Sequence, residues 1–347
     1  MLDNLISVLF ISILLNLFIT KILYSRANSL KLIDIPDSRK IHSRSVPVIS
    51  GLAMFITLFF LFIYMFDDFS QIFLTRFELL VFSLSTIFIF IVSIIDDSFK
   101  ISTFKKILFQ SIVIILFIFF MDFYKIQIVP MIDNYFLNFI VQFFFILGVT
   151  NSINLMDGLD NLVGSISIII SISFILLAFI IGFESMNFVF TIIIGCLLSY
   201  LIYNNFFNRI FLGDGGSLLI GWIFSIFSIV SIKFSSNSSI HTPLLILAVP
   251  AFDVIYIMIY RFVKSAHSSV FRKLRSIFIP DHLHIHYSIF KKGIGNIKIC
   301  LILCIISVVF TGLSFLVFIY INNYLLKSML VIFLFSIFSL GRNIIER

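Results

Sequence analysis

Residues 162–182 read LVGSISIIISISFILLAFIIG, an apolar stretch without a charged side chain. A helix needs about 20 such residues to cross the ~30 Å hydrocarbon core of a bilayer. Comparable stretches recur from one end of the chain to the other, at 4–24, 47–66, 77–95, 107–122, 136–150, 162–182, 188–203, 217–232, 243–262, 297–320 and 328–341. The sequence therefore predicts an all-α fold, a polytopic membrane helix bundle of about 11 transmembrane helices that forms one domain over residues 1–347.

The composition agrees with a chain that resides in lipid. Hydrophobic residues make up 61% of the 347 residues, charged residues only 12%, and phenylalanine alone occurs 47 times. Soluble proteins have roughly half apolar and a quarter charged residues, so the composition excludes a soluble enzyme. No small-residue cleavage site follows the first stretch, which is expected to be a retained helix. Cys196, Cys300 and Cys304 fall inside apolar stretches and predict neither a disulfide nor a metal site.

Basic residues are distributed unequally between the two sides of the predicted bundle. All of the 24 Lys and Arg residues lie in or beside one set of alternate loops, except Arg76, Lys125, Lys233 and Lys327. Because positive charge accumulates on the cytosolic side, the N-terminus is predicted outside and the C-terminus in the cytosol. The net charge of +7 does not indicate nucleic acid, since the cations flank membrane spans instead of forming a dense run. Membrane lipid or phosphate is the expected anionic partner.

Most histidines and carboxylates lie on the predicted cytosolic side, and many of them fall in five segments. These segments are 34–47, 96–106, 151–161, 211–217 and 280–287. The adjacent carboxylates of Asp96 and Asp97 repel each other, so they need a cation, a proton or good solvation. Hard oxygen ligands of this kind suit Mg²⁺ or Mn²⁺ better than Zn²⁺. The segments therefore predict phosphate chemistry.

Two of these segments carry groups that could bind a phosphate directly. The glycines around Asp214 allow backbone amides to approach an anion, and the stretch that starts at Ser217 adds a helix N-terminus. The pair His284 and His286, with Asp281, could bind a phosphate or nucleotide, because imidazolium donates hydrogen bonds. Taken singly, each feature also has an ordinary explanation as a solvated helix end, a tight turn or a basic anchor at the membrane surface.

Asp253 differs from the other carboxylates because it lies inside the ninth apolar stretch, close to Pro250. A charge in that setting costs roughly 2.5 to 3.5 kcal/mol on insertion scales. Two interpretations remain open: a buried ion pair with an inner cation such as Arg261, or a role in substrate binding.

Taken in order, the segments resemble those of the polyprenyl-phosphate N-acetylhexosamine-1-phosphate transferases, a family that includes phospho-MurNAc-pentapeptide translocase. The chain matches the following family motifs: D-x-P-x-x-R-K-x-H with V-P, D-D, N-x-x-N-x-x-D-G-x-D, F-x-G-D-x-G-S, P-x-x-D and P-D-x-x-H-x-H-H. The matching residues are given in the same order. They are Asp34, Pro36, Arg39, Lys40, His42, Val46, Pro47, Asp96, Asp97, Asn151, Asn154, Asp157, Gly158, Asp160, Phe211 through Ser217, Pro250, Asp253, Pro280, Asp281, His284 and His286. The chain departs from the family at Ser50-Gly51, where Gly-Gly is usual, and at Tyr287, where the last histidine is usual.

The resemblance implies a reaction and a location. A sugar-1-phosphate, from GlcNAc or a related N-acetylated amino sugar, would pass from a UDP-sugar to undecaprenyl phosphate with release of UMP. The reaction would start a lipid-linked cell-envelope glycan at the cytosolic face of the bacterial inner membrane. The resemblance also leaves room for a homodimer.

The resemblance further implies roles for individual residues. Asp214 and Asn154 are expected to hold Mg²⁺, with Mn²⁺ as the other candidate. Asp96 is expected to deprotonate or orient the lipid phosphate with support from Asp97, and Lys106 to bind that phosphate. The expected substrate-binding residues are Asp157, Asp160, Arg39, Lys40, His42, Asp253, Asp281, His284 and His286.

Two other functions are compatible with a polytopic bundle that carries acidic residues. A transporter or lipid flippase would place its polar residues near the midplane and often has two related halves, whereas here they cluster at one face and no repeat is visible. A membrane phosphatase could use similar acids and a metal, but it would release phosphate instead of UMP.

Overall fold

The computed structural model describes residues 2–35, 45–66, 73, 75–235, 239–264 and 283–346. The elements in these ranges are helical apart from two short strands and a 3-10 turn at Phe123–Lys125. The strands are β1 (Ile33–Asp34) and β2 (Val46–Pro47). The helices are α1 (Leu2–Arg26), α2 (Ser50–Tyr64), α3 (Arg76–Phe99), α4 (Thr103–Phe120), α5 (Tyr135–Leu155), α6 (Leu162–Ile181), α7 (Met186–Phe206), α8 (Gly213–Lys233), α9 (His241–Ile246), α10 (Ala248–Lys264), α11 (Ile285–Phe290), α12 (Asn296–Tyr320) and α13 (Tyr324–Glu346).

Each of the predicted apolar stretches coincides with helix, so the polytopic helical bundle is confirmed. Within the described ranges, 9 helices are long and apolar enough to cross a membrane. Helix α2 is shorter, and the ninth stretch is divided between α9 and α10. Pro250 falls in the first turn of α10, where its missing N–H group is not needed. The count of eleven spans and the orientation of the termini remain predictions.

Helix α8 forms the centre of the bundle. Its whole apolar window is buried inside the protein, and it packs against α2, α3 and α5. The indole Nε1 of Trp222 donates a hydrogen bond to Thr86 Oγ1 at 3.0 Å, which joins α8 to α3. A helix that is apolar on all sides is stable only inside a protein core or a membrane. The helix that begins with Gly213 and Asp214 is therefore held on several sides by its neighbours.

The backbones of α2 and α8 cross in close contact at two glycines. A Cβ atom added to Gly51 would lie 2.2 Å from the backbone nitrogen of Gly216. No side chain fits there without moving one of the helices, because the obstructing atoms belong to the backbone. The chain has Ser50-Gly51 where the family usually has Gly-Gly, and the residue of this pair that lies at the crossing is Gly51. The departure therefore keeps a glycine where the two backbones are in contact.

The segment around β2 fixes the turn that leads into α8. Strand β2 pairs antiparallel with β1, with Ile33 opposite Pro47. Two backbone hydrogen bonds join this segment to the residues before α8. The amide of Phe211 donates to the Pro47 carbonyl at 2.9 Å, and the amide of Gly51 donates to the Leu212 carbonyl at 3.1 Å. The Val-Pro segment predicted to belong to the inner face therefore supports the residues immediately before Asp214.

Candidate active site

Four polar side chains from four helices meet at the start of α8, and we call Asp96, Lys106, Asn154 and Asp214 the Asp214 cluster. The Lys106 ammonium contacts Asp214 Oδ2 and lies 3.0 Å from Asp96 Oδ2. The Asn154 amide donates to Asp214 Oδ1 at 2.8 Å and to Ser217 Oγ at 2.9 Å. The cluster is partly exposed, since Lys106 is 12% and Asp214 27% accessible at the side chain. It therefore lies within reach of a ligand.

Asp97 has a different position from its neighbour Asp96. Its two carboxylate oxygens accept hydrogen bonds from the backbone amides of Asp214, at 2.9 Å, and Gly215, at 2.8 Å. A carboxylate at a helix N-terminus satisfies free N–H groups and interacts favourably with the helix dipole. Asp97 thus caps α8. The Asp96 carboxylate instead binds Lys106 and accepts from the Ile101 amide at 2.8 Å, so each aspartate has its own donors.

Gly213 allows this cap to form. Its φ is +72°, a conformation that other L-residues rarely adopt. A Cβ atom at this position would also lie 2.2 Å from the Val48 side chain and 2.9 Å from Asp97 Oδ2. A glycine at the start of the Gly-Asp-Gly-Gly turn is therefore required for two reasons: the backbone has a positive φ there, and Val48 and Asp97 lie too close for a side chain.

Asp157 and Asp160 lie in the turn between α5 and α6, beside the Asp214 cluster. Burial, followed by the charges of Asp214, Asp97 and Asp160, raises the pKa of Asp157 to about 8. Asp160 is neutralised by Arg209, whose guanidinium lies 2.5 Å from its carboxylate. The remaining carboxylates give the site an excess of negative charge that a cation would relieve.

A cavity of about 290 Å³ opens beside these carboxylates. This volume is at the lower end of the range of small-molecule sites, about 300–1,000 Å³. The lining combines acidic and basic groups with aromatic rings. It includes Asp34, Asp97, Lys100, Asp157, Gly158, Asp160, Tyr200, Arg209, Phe211, Asp214, Tyr287 and Asn296. Such a surface suits a ligand with phosphates at one end and a flat ring at another.

The histidines predicted to bind substrate are buried behind the cavity lining. His284 is 4% and His286 0% exposed, and their rings are stacked with centroids 5.9 Å apart. Asp253 is fully buried and holds His284, with Oδ2 2.7 Å from Nδ1. Its cation is Arg342 of α13 instead of Arg261. The burial of Asp253 favours the ion-pair interpretation of its place in the ninth stretch.

Of the predicted site residues that the structure describes, most are brought together. Asp96, Lys106, Asn154 and Asp214 are in contact, Asp97 caps the adjoining helix, and Asp157 and Asp160 line the cavity. Arg39, Lys40, His42 and Asp281 lie outside the described residues.

Sequence reasoning missed several residues at or near the site. Arg209 was counted only as a basic residue of an inner loop, although its place four residues before Gly213 could have indicated a site cation. Tyr200 and Arg342 lie on apolar helices and gave no signal, because only the fold brings them near the motifs.

The site offers oxygen donors of the kind that Mg²⁺ binds. In the described part of the chain, no group of three or more His, Cys, Asp or Glu side chains is arranged to hold a metal ion. Protein Mg²⁺ sites, however, often use only one or two carboxylates, with water and substrate phosphates as the other ligands. Asp214 and Asn154 are adjacent, partly exposed and carry hard oxygens. The residues present therefore fit a Mg²⁺ ion that binds together with a phosphate substrate.

The fold and site define a polytopic membrane protein with a cluster of aspartates, a lysine and an asparagine at its helix ends. The sequence model of glycosyl transferase family 4 matches residues 79–232, which contain the whole Asp214 cluster. The chain is 29% identical over 309 residues to the probable undecaprenyl-phosphate N-acetylglucosaminyl 1-phosphate transferase of Bacillus subtilis (strain 168), covering 87% of this chain and 81% of that protein.

The chain is also similar to two further transferases. The undecaprenyl-phosphate alpha-N-acetylglucosaminyl 1-phosphate transferase of Thermotoga maritima is 27% identical over 317 residues, 89% of this chain and 91% of that protein. A phospho-N-acetylmuramoyl-pentapeptide-transferase of Clostridium perfringens is 28% identical over 172 residues, 50% of each chain. The resemblance stated from the motifs is confirmed: the chain is similar to the family 4 glycosyl transferases over residues 79–232 and to two undecaprenyl-phosphate N-acetylglucosaminyl 1-phosphate transferases over most of its length.

Proposed function

We propose that this protein transfers a sugar-1-phosphate, from GlcNAc or a closely related N-acetylated amino sugar, from a UDP-sugar to undecaprenyl phosphate. UMP is released, and the product is the first lipid-linked intermediate of a cell-envelope glycan. Two relatives, matched over 81% and 91% of their length, are named as undecaprenyl-phosphate N-acetylglucosaminyl 1-phosphate transferases, and these names support the lipid acceptor and the transferred group. So does the match of the family model over the residues that form the Asp214 cluster.

The single observation that carries the proposal is the position of Lys106 between Asp96 and Asp214. The reaction must bring a diphosphate and a lipid phosphate together, so their mutual repulsion has to be offset. An ammonium next to two carboxylates can turn towards an incoming phosphate, while the carboxylates orient it or accept its proton. The cluster therefore has the charged groups that phosphoryl transfer requires.

The proposed bond changes are as follows. An oxygen of undecaprenyl phosphate forms a bond to the phosphorus that carries the sugar. The bond from that phosphorus to the oxygen shared with the uridine-bearing phosphorus breaks, and the electron pair leaves with UMP. Asp96 takes or orients the proton of the lipid phosphate, and Lys106 binds its oxygens. Asp97 keeps the first turn of α8, and with it Asp214, in place.

Asp214 and Asn154 would hold the metal, for which Mg²⁺ is the first candidate and Mn²⁺ the second. A divalent ion bound there would neutralise charge on the diphosphate and polarise the phosphorus under attack. Arg209 and the rings of Tyr200, Phe211 and Tyr287 line the cavity where the UDP portion would bind.

We further propose that the site faces the cytosol from a bacterial inner membrane and that eleven spans form the bundle. The basic inner loops support this orientation, because the positive-inside rule assigns them to the cytosolic side. A cytosolic sugar nucleotide and a membrane-bound lipid phosphate could meet only at such a surface.

The test is a donor panel with the purified protein in lipid nanodiscs. The protein is incubated with undecaprenyl phosphate, MgCl₂ and one of several UDP-N-acetylated sugars, and UMP and lipid-linked sugar are measured. Equal amounts of UMP and lipid product with one donor would support the proposal. Inorganic phosphate as the product would favour a phosphatase, and no turnover with any donor would favour a transporter or flippase.

A matched pair of variants assigns the activity to the site. Asp214→Asn removes the charge at the centre of the cluster and is expected to abolish UMP release. Asp122→Asn removes an exposed aspartate that pairs with Lys125 on the predicted outer side, and it is expected to leave UMP release unchanged.

A further inference from the structure

Asp253 and Arg342 form a buried ion pair on two helices near the site, and we call this pair the Arg342 clamp. Their exposures are 0% and 1%. Arg342 lies near the end of α13, a helix of which only 17% is buried in its apolar window. Its guanidinium is also stacked on the Tyr256 ring of α10, 4.1 Å from the centroid. A charge buried on a mostly lipid-exposed helix requires specific partners, and such charges are frequently functional.

The clamp holds three consecutive residues of one segment. Arg342 donates a hydrogen bond to the Leu283 carbonyl. Asp253 Oδ2 lies 2.7 Å from His284 Nδ1, and Asp253 Oδ1 accepts from the Ile285 amide at 3.0 Å. A carboxylate next to Nδ1 fixes the tautomer and the ring orientation of a histidine. The beginning of α11 is therefore pinned in position and in rotation.

The pinned segment continues into the wall of the cavity. The ring centroids of His286 and Tyr287 are 4.3 Å apart. Tyr287 lines the cavity together with Gly158. A Cβ atom at Gly158 would lie 2.6 Å from His286 Nε2 and 2.5 Å from the Tyr287 hydroxyl. The segment is thus pressed directly against the Asp157–Asp160 turn.

These contacts connect the Arg342 clamp more closely to the cavity than to the residues assigned to the lipid phosphate. Tyr287 and Gly158 share the cavity with Arg209 and the rings of Tyr200 and Phe211, which suit the phosphates and flat base of a nucleotide. The residues assigned to the lipid phosphate lie elsewhere: Asp96 is near the C-terminal end of α3, and Lys106 is near the N-terminal end of α4.

We propose that Arg342 is a positioning residue for the nucleotide-sugar part of the site. Through Asp253 it orients His284 and sets segment 283–287 against Gly158, so that its loss weakens binding of the UDP-sugar more than binding of the lipid phosphate. This inference rests on the proposed function. It assigns a role to a residue of α13 that lies outside all of the sequence motifs.

The test compares Arg342→Met, Arg342→Lys and Asp253→Asn with wild type in full-length protein in nanodiscs. KM is measured separately for UDP-GlcNAc and for undecaprenyl phosphate, and UDP-GlcNAc binding without acceptor is measured by calorimetry. Lys327→Met is the matched control, because it also removes a buried cation from α13, but at the opposite end of the helix.

The expected result for Arg342→Met is a KM for UDP-GlcNAc raised about 10- to 100-fold, the range known for removing a residue that orients a metal-binding histidine. The KM for undecaprenyl phosphate should change less than about twofold. Arg342→Lys should restore part of the loss, since it keeps the charge but not both hydrogen bonds. Lys327→Met should leave both KM values unchanged.

Several outcomes would overturn the inference. One is unchanged UDP-GlcNAc binding in a folded Arg342→Met protein. Another is an equal loss for both substrates that Lys327→Met reproduces, which would indicate a purely structural pin. If Arg342→Met does not insert, Arg342→Lys and Asp253→Asn decide by the same criterion. Failure of the proposed function is recognised separately, because wild type itself would then release no UMP; calorimetry would still compare UDP-GlcNAc binding.

Discussion

Asp97 accepts hydrogen bonds from the backbone amides of Asp214 and Gly215, and so one site aspartate caps the helix that presents another. The side chain of Asp214 is thereby directed at Lys106 and Asn154. This relationship explains why two adjacent aspartates can occupy the C-terminal end of α3. Asp97 anchors α8, and Asp96 contacts Lys106 of the Asp214 cluster.

Loss of the cap should lower stability. Asp97→Ala leaves two N–H groups of α8 without their acceptor, and removal of a helix cap costs roughly 0.5–2 kcal/mol. We expect a lower thermal midpoint in detergent and reduced UMP release, with Asp97→Asn intermediate because its amide oxygen still accepts one hydrogen bond. An Asp97→Ala protein with the wild-type midpoint and full activity would disprove the capping role.

Removal of the lysine should separate catalysis from cation binding. Without the ammonium of Lys106, Asp96 and Asp214 lose their neutralising partner, so affinity for Mg²⁺ should rise in Lys106→Met while UMP release falls about 100-fold or more. Calorimetric Mg²⁺ titration and turnover measure the two effects. Lys105→Met, which removes an exposed neighbour on the same helix, serves as the control. Equal behaviour of the two variants would contradict the role of Lys106.

The raised pKa of Asp157 predicts a pH-dependent stability. The carboxyl has a pKa of about 8 in the folded, metal-free protein and about 3.9 when unfolded. Between these values the unfolded chain has lost the proton and the folded one keeps it, so the free energy of unfolding falls as pH rises. Wild type should therefore lose more thermal stability than Asp157→Asn between pH 5 and pH 8, roughly the range that separates the two pKa values.

Mg²⁺ provides the control for this effect. A divalent cation favours the ionised carboxylates, so adding it at pH 7 should release protons and reduce the difference between the two proteins. Parallel stability curves for wild type and Asp157→Asn, with and without Mg²⁺, would rule out a protonated Asp157.

The glycine crossing predicts a position that tolerates no side chain. Gly51→Ala places a methyl group against the backbone of Gly216, and such overpacking typically costs about 1–3 kcal/mol. We expect a lower thermal midpoint and a loss of activity, because α8 carries Asp214. Gly148→Ala is the control, since a Cβ there meets nothing within 4 Å. An unchanged midpoint in Gly51→Ala would contradict the close crossing.

The sequence allowed the helices and most of the site to be predicted, because each depends on local signals. Apolar length identifies the helices. The order of Asp96, Asn154, Asp157 and Asp214 indicated a common face, and the fold brings these residues together. The break between α9 and α10 was not predicted, since it falls at Leu247, in the apolar first half of the ninth stretch.

Other features depend on contacts between distant parts of the chain. The adjacent positions of Asp96 and Asp97 do not indicate which donors each one binds, and only the packing of α3 on α8 gives them different donors. The partner of Asp253 is likewise 89 residues away, whereas proximity in the sequence favours Arg261. Arg342 itself gives no local signal, since a basic residue at an inner helix end is common in membrane proteins.

The most direct test of the central claim follows one phosphorus atom. UDP-GlcNAc labelled at the phosphorus that carries the sugar is incubated with undecaprenyl phosphate, MgCl₂ and the protein in nanodiscs, and the label is traced. The account predicts that wild type moves the label into the lipid fraction with an equal amount of UMP, and that Asp214→Asn does not. Label that remains on the nucleotide or appears as inorganic phosphate with wild type would contradict it.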